Sequence, residues 1–273
     1  MRRVMLGKTG LMVSRLGLGT DVRHDDGAVS VEQETEVMLR AWGLGINFID
    51  TDRWYKTYPS LAAALPHMER SRLVLATKTY EKTFEGALGD VQHTLDTLKT
   101  AYIDLFLLHA VDSIEEYSAR AAALEALHEA QTRGWIRHIG LSTHAVGVMR
   151  VMAGHPEIEA ILVALNLAGK SMRHTGSRQE MEQAVKGSYE AGQGVYVMKP
   201  FARGRLFEDE NKDRPLTPEQ ARLGLAYLCG LPYIHSVIPG MRTVQQVEQN
   251  VAIVEELEQD HCRPLSCGTT DDG

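Results

Sequence analysis

A closed (β/α)8 TIM barrel of the α/β class is the fold that three features of this 273-residue chain predict. Short apolar runs alternate with amphipathic stretches of helical period along almost its whole length. The runs are apolar on both faces, as expected of parallel strands whose crossover helices cover the sheet. There are eight of them in roughly 250 residues, which suits a closed barrel better than an open sheet. The alternative, a doubly wound nucleotide-binding sheet, lacks its main token. No G-x-G-x-x-G follows an early strand, the pairs Gly17/Gly19 and Gly43/Gly45 are incomplete, and no Walker-type loop is present.

The elements follow in order. A small hairpin is expected around Lys8 to Gly10, ahead of the first strand RLGLGT at 15–20. The remaining strands are INFID (46–50), LVLAT (73–77), IDLFLLH (103–109), IRHIGLS (136–142), AILVALN (160–166), GVYVMK (194–199) and HSVIP (235–239). Helical stretches between them include 31–45, 84–99, 113–134, 177–192, 217–230 and 243–257. Ser113, Ser177, Thr217 and Thr243 are the candidate N-caps, and Gly134, Gly192 and Gly230 stand where a left-handed C-cap ends a helix. One barrel domain over 1–258 is expected, with 259–273 as a flexible polar tail and the charged stretch EDENKDRP (208–215) as a solvated loop.

The formal net charge of −7 argues against a broad nucleic-acid or anionic-membrane surface, which rewards clustered Lys and Arg. No apolar run approaches the roughly 20 residues of a spanning helix, and no signal-peptide hydrophobic region follows the start MRRVMLGKTG. A cytoplasmic protein with small-molecule partners is expected. Cys229, Cys262 and Cys267 are an odd set in a chain with core enough to do without staples, so reduced thiols are the default. A metal or cluster site needs more ligands than this pair in the tail supplies, and no metal is expected.

In a barrel, residues at the C-terminal ends of strands face one mouth. Those ends collect Asp50 after the second strand, Lys78 after the third and His109 after the fourth, with Tyr55 in the loop just beyond Asp50. Each has a bland alternative: Asp50 as a cap on the mouth, Lys78 as a solvated strand-end lysine, His109 as a satisfied barrel histidine. Four ionisable groups at three successive strand exits favour a site over four coincidences.

This quartet, together with GINFIDTDRWY, ATK, IDLFLLH, IGLST and VIPGMRTVQQVEQN, resembles the aldo-keto reductase family from the opening LGKTGLMVSRLGLGT to about Leu257. The resemblance implies an enzyme that reduces an aldehyde or ketone with a nicotinamide hydride. Tyr55 would supply the proton, Lys78 would lower the phenol's pKa, Asp50 would keep Lys78 charged, and His109 would orient and polarise the carbonyl. Trp54 is the candidate substrate contact. His24 and Tyr58 either line the pocket or pack on loops.

The same resemblance implies a cofactor extended across the mouth. Gly19, Thr20 and Asp21 are placed at the nicotinamide ribose, and Ser142 and Thr143 at the carboxamide. Thr143 departs from the family's usual Asn and Val163 from its usual Gln, which leaves Asn166 as a candidate for the amide. Met198 takes the place of a stacking Tyr. Lys199, Phe201, Arg203 and Gly204 form the pyrophosphate loop. Gly240, Met241, Arg242, Gln246, Gln249 and Asn250 form the adenosine end, where the amides of a helix N-terminus hold an anion and Arg242 suits a 2′-phosphate. NADPH is expected over NADH. The leading expectation is a monomeric NADPH-dependent reductase of a small carbonyl compound. The alternatives are a nucleotide-sensing barrel with little turnover and an aldolase in which Lys78 forms a Schiff base.

Overall fold

The computed structural model describes residues 1–21, 29–171, 176–206 and 216–262, with the side chains of 260–262 left aside. His24, the 208–215 stretch and Cys267 lie outside the described residues. The chain opens with the expected hairpin, β1 (Arg3–Met5) antiparallel to β2 (Met12–Ser14). The barrel strands follow as β3 (Leu18–Gly19), β4 (Phe48–Asp50), β5 (Val74–Thr79), β6 (Ile103–Leu108), β7 (Ile136–Thr143), β8 (Ala160–Ala164), β9 (Gly194–Met198) and β10 (Ser236–Ile238). Neighbours pair parallel in sequence order. Bridges Leu16 to Val237 and Gly19 to Gly240 join the first strand to the last and close the (β/α)8 barrel.

The helices are α1 (Val31–Gly43), α2 (Tyr58–Ala64), α3 (Phe84–Leu98), α4 (Ile114–Ser118), α5 (Ala121–Thr132), α6 (Val146–Met152), α7 (Arg178–Glu190), α8 (Pro218–Cys229) and α9 (Val244–Cys262). The hydroxyls of Ser113, Ser177, Thr217 and Thr243 all accept from first-turn amides, as their positions predicted. Gly134 (φ 73°) and Gly192 (φ 89°) take the left-handed conformation after their helices. Gly230 does not: its φ of −74° and ψ of −14° continue the right-handed turn. The last helix runs past residue 258 to Cys262. Among the described residues no helix is long and apolar enough to cross a membrane.

The single helix expected over 113–134 is two, α4 and α5, broken at Arg120 (φ −108°, ψ 17°). The buried Arg120 side chain explains the break: its Nη1 donates to the His109 carbonyl at 2.7 Å, and its Nη2 to Glu116. A continuous helix would have to give up that inward reach.

Two apolar layers result. One lies between strands and helices. The other fills the barrel with Phe48, Val74, Ala76, Leu105, Leu107, Leu162 and Tyr196, and is plugged at its base by Leu6, Leu11 and Val13 of the opening hairpin. Gly194 makes room for that plug, since a Cβ there would stand 2.6 Å from Leu6 Cγ. Strand alternation then decides the site. Phe48 points inward and so does Asp50; Val74 and Ala76 point inward and so does Lys78; Leu105 and Leu107 point inward and His109 follows in the same column. The interior is apolar until its last layer at the C-terminal mouth, where charge begins.

Candidate active site

Three strands and one short turn build the centre. Lys78 is 2% exposed, and its Nζ donates to Asp50 Oδ1 at 2.5 Å and to the Thr51 carbonyl at 2.8 Å. Tyr196, from β9 on the far wall, donates its hydroxyl to Asp50 Oδ2 at 3.2 Å. The buried carboxylate thus has a partner on each oxygen. Burial pushes the Asp50 carboxyl up, while Lys78 and then the Tyr196 hydroxyl pull it back.

Tyr55 sits on a one-turn 3-10 helix, Arg53–Tyr55. Asp52 caps that turn, accepting from the Trp54 amide at 2.7 Å, and Lys56 ends it in the left-handed conformation (φ 62°). Arg53 ties the turn to Asp90 of α3. The Tyr55 ring then lies with its centroid 5.0 Å from Lys78 Nζ, and its hydroxyl 3.4 Å from His109 Nε2. All four predicted catalytic residues are therefore in one patch.

The pKa of the Tyr55 phenol is not lowered as the presence of Lys78 predicts. The phenol is pushed well above its ordinary value, by burial first and then by the negative charges of Asp50, Asp21 and Asp52. The Lys78 ammonium, paired with Asp50 at 2.5 Å, does not offset that burial. At neutral pH the Tyr55 hydroxyl keeps its proton.

His109 is held on all sides. Its backbone N–H donates to Thr79 O at 2.8 Å, Arg120 binds its carbonyl, and its Nδ1 meets Asp52 Oδ2 at 2.6 Å. Tyr80 stacks on the ring at 4.1 Å and brings its hydroxyl within 3.2 Å of Nε2. Burial, with the Lys78 charge adding to it, lowers the His109 pKa to about 4 against the pull of Asp52, so the imidazole is neutral at pH 7. Asp52, Tyr80, Tyr196 and Arg120 were not among the predicted site residues. Asp52 had a signal: two residues past an inward-facing Asp50 on extended backbone (φ −158°, ψ 148°), it shares the inward side.

Trp54 is 63% exposed at the rim beside Arg53, open to a ligand. Tyr58 is core instead: it is buried, with its hydroxyl on Thr77 Oγ1 at 2.7 Å and Thr94 Oγ1 at 3.1 Å.

The predicted cofactor residues fall into three groups. Gly19, Thr20, Met241 and Arg242 line one cleft beside α1, with Gly240 bridged to Gly19 and Asp21 near enough to act on Tyr55. The Thr20 hydroxyl is tied into a ring with those of Thr51 and Thr57. In the second group Ser142 Oγ accepts from the Ala110 amide at 2.7 Å, which leaves its proton to give. The Thr143 hydroxyl is turned to Asp112 and the Ala145 amide, and the Asn166 amide braces Lys170 and Lys199 backbone, so neither offers the carboxamide what the sequence suggested. Lys199 contacts His144, which Asp112 orients.

Met198 ends β9 half-buried. Phe201 turns its ring toward α8, while Ala202, Arg203 and Gly204 all take positive φ in a turn where the Ala202 and Gly204 amides donate to the Lys199 and Phe201 carbonyls. In the third group Gln246 is spent on the chain: its side chain accepts from the Arg242 amide at 2.7 Å and its own amide donates to Thr243 Oγ1. Gln249 is half-buried and Asn250 buried on the same helix. The Ser142 hydroxyl and the exposed guanidiniums of Arg203 and of Arg242 at a helix start form a donor set that fits an extended, anionic dinucleotide.

These features agree with what the chain is similar to. A family model described as the aldo/keto reductase family matches residues 15–225. L-galactose dehydrogenase of Arabidopsis thaliana is 26% identical over 284 residues, covering 93% of this chain and 88% of that one. Methylglyoxal reductase DkgB of Escherichia coli O157:H7 is 25% identical over 248 residues, covering 88% and 87%. Among solved structures, the holo form of aldo-keto reductase AKR11C1 from Bacillus halodurans matches with a TM-score of 0.74 at 25% identity, over 93% of this chain and 91% of that one. The chain belongs to the aldo/keto reductase family of oxidoreductases.

Proposed function

We propose that the protein reduces an aldehyde or ketone to the alcohol with NADPH, using Tyr55 as proton donor. The observation that carries this is the convergence of Asp50, Tyr55, Lys78 and His109 in one buried patch at the mouth. The names of two similar proteins, a dehydrogenase and a reductase of small carbonyl compounds, point the same way.

A reduced nicotinamide supplies the hydride. The carbonyl oxygen takes its place against the Tyr55 hydroxyl, and charge develops on it as the carbon accepts the hydride. Tyr55 then gives its O–H proton to that oxygen. The raised pKa is no obstacle, because an alkoxide is a far stronger base than a phenolate. The phenolate left behind faces the Lys78 ammonium, and solvent returns its proton. Asp50 keeps that ammonium charged inside the barrel, and Tyr196 holds Asp50 in place. His109 Nε2, 3.4 Å away, steadies the Tyr55 hydroxyl. The Ser142 hydroxyl serves the carboxamide and the exposed Arg203 guanidinium the pyrophosphate. The guanidinium of Arg242, exposed at the start of α9, favours a 2′-phosphate and hence NADPH over NADH.

The test is consumption of NADPH with a panel of aldehydes and ketones, run beside a fluorescence titration of the cofactor. Turnover of at least one class is expected. Tight binding with no turnover across the panel would instead indicate a nucleotide-sensing barrel.

A further inference from the structure

We propose that Lys199 is a nucleophilic amine at the barrel mouth, activated by His144 and Asp112, and that it condenses with aldehydes and ketones to form an imine. This activity is separate from hydride transfer and does not rest on the reductase reading above. The Schiff base weighed for Lys78 has no room to form: that lysine is 2% exposed, and its Nζ is held by Asp50 and the Thr51 carbonyl.

The backbone aims Lys199. Tyr196 and Met198 pack with the barrel interior, so a regular β9 would send the next side chain out toward the helices. Lys199 instead takes the left-handed conformation (φ 59°), which a residue other than glycine adopts at a cost. Its carbonyl accepts from the Ala202 amide at 2.9 Å and from the Asn166 side chain at 3.2 Å. The turn carries Nζ past the exit of β8 to His144 Nε2, just beyond β7. Ser142 pairs with inward-facing Leu162, and alternation carries His144 to the same side, near enough to act on His109.

The imidazole is set between the amine and a carboxylate, with one ring nitrogen facing each. Asp112 Oδ1 accepts from the His144 backbone amide at 2.7 Å and lies 3.2 Å from Nδ1. A carboxylate has no hydrogen to give, so Nδ1 carries the imidazole proton and Nε2 accepts from the Lys199 ammonium. His144 is buried, while Lys199 is partly open to solvent. An amine, a base in contact with it and a carboxylate orienting that base are the parts of an activated nucleophile.

The step balances without a further reagent. Nε2 takes one proton from the ammonium, and the amine adds to the carbonyl carbon. A proton then moves from the new C–N nitrogen to the oxygen, which gives a carbinolamine. The imidazolium passes its proton to that hydroxyl, water leaves, and the C=N bond forms as a protonated imine. One ammonium and one carbonyl compound become one iminium and one water, with nothing oxidised or reduced.

The test is reductive trapping on the full chain at pH 7, with a short pulse of propanal and sodium cyanoborohydride read by peptide mass spectrometry. The exposed Lys82, Lys99 and Lys186 serve as standards within the same sample. Lys199 is expected to be alkylated about 100-fold faster than these, the scale of a general base. A rate no higher than theirs overturns the proposal, and the contact with His144 is then only a tie between β9 and β7. In His144→Gln the Lys199 rate should fall to that of the standards, and in Asp112→Asn part of the way. A Lys199 rate unchanged in His144→Gln overturns the proposal, because the imidazole is then idle. If that variant does not fold, the wild-type ratio decides. A fast adduct on Lys78 in place of Lys199 also overturns it, in favour of the other lysine.

Discussion

Lys78 Nζ lies 2.5 Å from Asp50 Oδ1, and both side chains are almost wholly buried in the top layer of the barrel. Neither charge is tolerable there without the other. Lys78→Met should therefore leave an unpaired carboxylate and destabilise the fold by about 3–5 kcal/mol. The double variant Lys78→Met, Asp50→Asn should recover a large part of that loss. Denaturant midpoints of the wild type, the two single variants and the double variant check this, and simple additivity would show that the pair is not coupled.

His109 protonates at about 4 in the folded chain against an ordinary 6.5. Above 6.5 both folded and unfolded chains hold it neutral, and its contribution to stability is fully present. As the pH falls below 6.5 the unfolded chain takes up the proton first, and stability drains away until about pH 4. The span corresponds to on the order of 3 kcal/mol. Urea midpoints between pH 7 and 4 should fall less steeply for His109→Gln than for the wild type. Parallel slopes would contradict the lowered pKa.

Arg242 stands exposed at the start of the last helix. If it grips a 2′-phosphate, Arg242→Ala should lower kcat/KM for NADPH about 10- to 100-fold, the scale of charge-assisted hydrogen bonds, and leave NADH nearly unchanged. An equal loss with both cofactors would place the guanidinium elsewhere.

Tyr196 reaches across the barrel from β9 to Asp50 Oδ2 at 3.2 Å. Tyr196→Phe keeps the ring that packs on Phe48 and removes only the hydroxyl. A destabilisation of about 1–3 kcal/mol is expected from the buried oxygen left short of a donor. Thermal melts measure it, and an unchanged melting temperature would show that Lys78 alone satisfies Asp50.

The strands were legible because a barrel strand is buried on both faces, and such runs as LVLAT and AILVAL have few other uses. The inward column was legible for the same reason: two-residue alternation carries Ala76 to Lys78 and Leu107 to His109. Less visible was whatever depends on long-range partners. Arg120 looks like one more helix residue until His109 draws its guanidinium inward and breaks the helix. Gly230 carries the residue type of a left-handed cap but not its conformation. Thr143 and Asn166 hold positions that suit a carboxamide, yet their polar groups are used by Asp112 and by the loops at Lys170 and Lys199. The acidity of Tyr55 was misjudged from residue types alone, because it depends first on how deeply the phenol is buried and then on the carboxylates of Asp50, Asp21 and Asp52 around it.

The role of the Tyr55 hydroxyl is tested most directly by Tyr55→Phe, with NADPH affinity and carbonyl turnover measured on the same preparation. The ring and its contacts with His109 and Lys78 remain, so cofactor affinity should stay within a few-fold of the wild type. Turnover should fall about 100- to 10,000-fold, the scale of a lost proton donor. Tyr55→Phe that binds NADPH and reduces carbonyls at the wild-type rate would contradict the mechanism.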